Sequence, residues 1–155
     1  MTFRLLLLLA VSLAQADEPQ LLAPSPADLE LVSAELLRRV QEAERLGAET
    51  AGHQNRWVTS GAPARRRCED PTDLALARSA ENTGVTWRDA AQAARAQARR
   101  LNELLVAPTL APLIDVPVMA THRALVARAD HNSRLYLEAS AWQRTWLAPV
   151  IARCG

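Results

Sequence analysis

The sequence predicts an all-α protein: an antiparallel bundle of three long helices, closed by one disulfide. Apolar residues recur three and four positions apart in three stretches, each bounded by proline-containing breaks. No stretch alternates apolar with polar residues, and no Asn-Gly or Asp-Gly turn marks a hairpin. The two cysteines, Cys68 and Cys154, fall at the start of the second stretch and the end of the third.

The first element to set apart is a leader. Arg4 gives a positive start, Leu5 to Leu13 is apolar but for Ser12, and Ala14-Gln15-Ala16 is a small-residue cleavage site. The apolar run is far shorter than the roughly 20 residues a spanning helix needs. Residues 1–16 are therefore expected to be removed on export, giving a mature chain from Asp17 that is periplasmic or secreted. Residues 17–25 read as an extended arm, and residues 26–155 as one helical domain without a transmembrane segment.

The first helix is expected over residues 26–58. Ser25 caps it, Pro26 suits the first helical position, and Asp28 places a negative charge at the positive end of the helix dipole. Leu29, Val32, Leu36, Val40, Ala43 and Leu46 form its buried stripe, and the pattern extends to Trp57 past the weakening Gly47 and Gly52. The second helix opens with a similar signal, Asp70-Pro71-Thr72-Asp73. It carries Leu76, Ala80, Gly84, Trp87, Ala91, Ala94, Ala98, Leu101 and Leu105 on a narrow, alanine-rich face. Asn82-Thr83-Gly84 resembles a helix end and Thr86 to Asp89 a new cap, so this helix is kinked or split at Gly84. Residues 107–116, with Pro108 and Pro112, form a loop. A third helix runs from Pro117 to about Arg153, its apolar positions spread widely enough to touch both others.

The cysteines choose between the two topologies. In an exported chain an even cysteine count reads as a disulfide. A continuous second helix brings Cys68 and Cys154 to the same end of the bundle, whereas a split one sends them to opposite ends. Since bonded cysteines need Cα atoms within about 7 Å, the bond selects three helices with a kink at Gly84.

Composition narrows function by subtraction. The basic residues are all arginine, 18 of them against 17 acids, and loss of Arg4 with the leader leaves the chain neutral. A neutral chain lacks the field that drives nucleic-acid binding. Acids predominate before residue 65 and arginines after it, which favours packing the first helix on the others. His53, His122 and His131 share no metal-binding spacing, no haem-attachment motif occurs, and no nucleophile elbow or glycine-rich phosphate loop is present. The sequence thus predicts a non-enzyme with no catalytic residues, no metal and no cofactor.

Two features favour contact with another protein. Arg65, Arg66 and Arg67 form a compact basic run before Cys68. The four tryptophans are expected in the half of the bundle nearest the cysteines, as core, or in part as an aromatic anchor. Trp57, Trp142, Trp146 and Arg65 to Arg67 are the candidate partner-binding residues. The preferred partner is another envelope or secreted protein, with a homodimer, coiled-coil in style, as a further option. The alternative function is a bundle that holds a ligand or metal between its helices.

Overall fold

The structure, a computed structural model, describes residues 23–61 and 71–155. The leader, residues 17–22 of the arm, and the connection carrying Arg65, Arg66, Arg67 and Cys68 lie outside the described residues.

The described chain is helical: α1 (Pro26–Thr59), α2 (Pro71–Leu105), α3 (Val116–Trp146) and a short α4 (Ala148–Cys154), with one 3-10 turn at Ala111–Leu113. α1 begins as its cap predicts. The Ser25 hydroxyl accepts from the Asp28 backbone N–H, and the Asp28 carboxylate accepts from the Ser25 N–H at 2.8 Å, so two otherwise unpartnered donors are satisfied reciprocally. The stripe from Leu29 to Leu46 is buried in full, and Trp57 joins it at 1% exposure.

α2 is a single helix through Gly84. Thr83 and Thr86 do not cap there. Their hydroxyls donate back to the carbonyls of Ser79 (2.8 Å) and Asn82 (3.1 Å) within the same helix. Gly84 is a packing notch: a Cβ at this position would stand 2.7 Å from Gln143 Oε1. Gln143 lies across the gap and donates its amide to the Ala80 carbonyl at 2.9 Å, tying α3 to α2. Gly47 has the same role towards Trp87, whose Cζ2 would lie 2.9 Å from an added Cβ.

The third expected helix ends earlier than its spacing suggested. α3 stops at Trp146 and α4 starts at Ala148. Pro149 has no N–H to give the Thr145 carbonyl, so the hydrogen-bond ladder is interrupted there and resumes with the Leu147 carbonyl accepting from Val150 and Ile151 at 3.0 Å. Leu147 itself is 1% exposed and fills the corner. The loop after α2 is likewise more structured than its prolines implied, because Leu110 is wholly buried and the 3-10 turn follows it.

Three side-chain layers run along the bundle. At the pole formed by the α1 start, the α2 end and the α3 start, leucines and valines of α1 pack on Ala94, Ala98, Leu101 and Leu105, with Leu110, Leu125 and Ala129 closing the layer. The middle layer joins Ala43, Leu46, Trp87 and Ala91 to Tyr136 and Ala139. The far layer joins Trp57, Ala77, Ala80 and Leu147 to Trp142, Val150 and Ile151. The small α2 residues set this order, since an alanine seam lets α1 approach closely where leucines fill it and leaves room elsewhere for indole rings.

α3 is the least buried long helix, with only Leu125, Ala129 and Asn132 classed as buried. It contacts both other helices, as its spread of apolar positions implied. Arg128 reaches Glu44 of α1 at 2.8 Å, and Arg95 of α2 stands 3.9 Å from Asp130. The remaining acids of α1 that pair do so mainly along their own helix, as Glu35 does with Arg38 and Arg39, and Glu42 with Arg45. The acidic character of α1 is thus spent chiefly on its own surface.

Candidate interaction surfaces at the two poles

The tryptophans do not form one group. Trp57 and Trp142 meet edge to face in the far layer, with ring centroids 5.7 Å apart and planes at 88°. Trp87 pairs in the same way with Tyr136, one layer away, at 5.8 Å and 85°. Trp146 follows Trp142 by one turn, at the α3–α4 corner, and is 50% exposed. Trp57 offers a partner no surface in this arrangement, Trp142 is half-buried, and Trp146 presents a large apolar face to solvent. Arg65 to Arg67 lie outside the described residues.

Three buried donors have no acceptor among the described residues: Gln54 Nε2, Trp57 Nε1 and Trp87 Nε1. Such groups carry a desolvation cost. Thr50 and Asn132 are buried but bonded, through donation to the Leu46 carbonyl at 2.8 Å and the Arg128 carbonyl at 3.3 Å. Asn132 therefore bonds within its own helix instead of forming a polar layer between helices.

The histidines are dispersed. His122 Nδ1 is 2.9 Å from Ser33 Oγ, linking α3 to α1. His53 sits beside Arg56 and Glu49 on α1, and His131 is exposed on α3. Among the described residues no three His, Cys, Asp or Glu side chains group as metal ligands.

The opposite pole carries a surface that the sequence did not single out. Leu113, Val116, Val106 and Val118 are 68%, 82%, 63% and 43% exposed around the α2–α3 connection. Between the 3-10 turn and the first turns of α3 lies an open pocket of about 580 Å³, lined by Ala111, Ile114, Val116, Met119, Ala120 and Arg123. Burying Leu110 beneath the turn holds the connection against the core and shapes this hollow. The prolines and the absence of aromatic residues conceal it in the sequence. The only legible sign was the run of aliphatic residues between Leu110 and Met119.

None of the described helices is long and apolar enough to cross a membrane. Comparison of the chain with protein-family models, curated proteins and solved structures finds no match.

Proposed function

We propose that the chain is an exported, non-catalytic helical-bundle protein that binds another envelope or secreted protein through the pole bearing Trp146. The observation that carries this reading is the half-exposed Trp146 ring at the α3–α4 corner, beside a layer already filled by Trp57 and Trp142. Tryptophan is among the residue types most enriched at interface hot spots. Arg65 to Arg67, which precede α2 in the sequence, are the proposed source of positive charge for the contact.

The proposed mature form starts at Asp17 and contains a Cys68–Cys154 bond. Its support is topological: α4 packs against Leu76, Ala77 and Ala80 of α2, and Cys154 lies on the last turn of α4. Cys68 precedes Pro71 by three residues, a reach of at most about 10 Å. No cysteine among the described residues is free.

The test is photo-crosslinking in cells, with a photoreactive residue placed at position 146, and at position 113 of the other pole as control. A single major adduct from position 146 with little from 113 is expected. Adducts confined to position 113, or none from either, would sink the assignment of this pole. An adduct with the mass of two chains would identify the partner as a second copy.

A further inference from the structure

The pocket at the α2–α3 pole is independent of the Trp146 surface and has chemistry of its own. Five of its six lining residues are aliphatic or methionine. The sixth, Arg123, brings the only ionisable group, and it forms no ion pair among the described residues. Arg123 is exposed at the rim of this apolar wall, so its guanidinium offers a charge to an anion whose remaining surface is apolar.

We propose that this pocket binds a small amphiphile with one alkyl chain and one anionic head, of the fatty-acid type. Ile114, Val116, Met119 and the two alanines take the chain, and Arg123 takes the carboxylate. The hollow is open, with Val116, Ala120 and Arg123 exposed, and its volume of about 580 Å³ suits a single chain lying along it better than a helix or a sheet edge. Met119 is half-buried against the core, and its unbranched side chain can adapt to chains of different length. Leu113 and Val116, exposed at the mouth, extend the apolar surface for the part of the chain that projects.

The experiment is titration of the folded mature protein with dodecanoate below its micellar concentration, followed by calorimetry. Dodecan-1-ol serves as the chain without the charge and acetate as the head without the chain. Saturable one-to-one binding of dodecanoate is expected, about tenfold tighter than decanoate. Dodecan-1-ol should bind about tenfold or more weakly than dodecanoate, and acetate not at all. Ala120→Trp fills the pocket from an exposed position and should abolish binding. Arg123→Gln should weaken dodecanoate about tenfold while leaving dodecan-1-ol unchanged. If Ala120→Trp lowers the melting temperature, Val116→Asp, at an 82% exposed position, takes its place as the blocking variant.

Non-saturating uptake, equal binding of acid and alcohol, or wild-type binding by the blocking variants would overturn the proposal. So would a response only to peptides ending in leucine, which would make the pocket a receptor for a polypeptide terminus. Crosslinking from position 146 is unaffected by any of these outcomes, so the two proposals stand or fall separately.

Discussion

Replacing a helical glycine by alanine ordinarily stabilises a helix by about 1 kcal/mol, through lower backbone entropy in the unfolded chain and less exposed backbone. Gly47 should do the opposite. It lies inside α1, and a Cβ there would stand 2.9 Å from Cζ2 and 3.0 Å from Cε2 of Trp87. The Trp87 ring has little freedom to yield, being 5% exposed and braced edge to face against Tyr136. Overpacking a core in this way costs about 1–3 kcal/mol, which exceeds the propensity gain and leaves Gly47→Ala about 1 kcal/mol less stable than the parent. For a chain of this size the melting temperature should fall by about 4 °C. The sign should reverse when the ring is removed. In a Trp87→Leu background, itself destabilised, Gly47→Ala should stabilise by up to about 1 kcal/mol, a coupling of about 2 kcal/mol between the two sites. Urea unfolding followed by far-ultraviolet circular dichroism on the four proteins measures the cycle. Equal stabilisation by Gly47→Ala in both backgrounds would refute the notch and return Gly47 to the status of a weak helix position.

Other perturbations should sort the molecule by layer. Trp57→Ala empties a buried site and should cost about 3–5 kcal/mol in urea unfolding, whereas Trp146→Ala, half in solvent, should cost less than about 1 kcal/mol. Ser25→Ala removes the capping box and should cost about 1 kcal/mol, read in the same assay. Acid should weaken the fold in a defined window. Hydrogen bonds from Arg38, with its charge and Arg39 adding to them, hold the Glu35 carboxyl down to about 2 from an ordinary 4.5. Hydrogen bonds from Ser25 and from Arg45 lower Asp28 and Glu42 in the same direction. Groups lowered by folding bind fewer protons in the folded state, so their contribution is complete above about pH 5 and lost as pH falls towards 2. The melting temperature should be level from pH 5 to 7 and decline below it, less steeply in Glu35→Gln. Non-reducing peptide mapping should find Cys68 joined to Cys154 in a chain whose intact mass begins at Asp17, and a free-thiol form retaining Met1 would contradict both statements.

Much of the fold was legible because it depends on signals local to a few residues. Ser25-Pro26-x-Asp28 fixed where α1 begins, and the spacing from Leu29 to Leu46 fixed which face it buries, since both follow from backbone hydrogen bonding and a period of 3.6. What escaped was set by neighbours distant in sequence. Gly84 reads locally as a helix end, yet α2 continues through it, and Gln143, arriving from α3, occupies the space where a side chain would be. Trp57 and Trp146 look alike in a helical pattern. One is buried, covered by Ala77, Ala80, Leu147 and Trp142 from other elements, whereas the other, just before the break at Leu147, is half-exposed. The pocket beside Arg123 was the hardest to foresee, since it arises between a 3-10 turn and a helix start, elements whose relative placement depends on burying Leu110. Periodicity assigns a residue to a face of its own helix, whereas exposure depends on what crosses that face, and here a single proline and two glycines decide the crossing. At the two poles, helix breaks leave Trp146 on one side and Leu113 and Val116 on the other exposed to solvent, beyond what the periodicity of any one helix assigns.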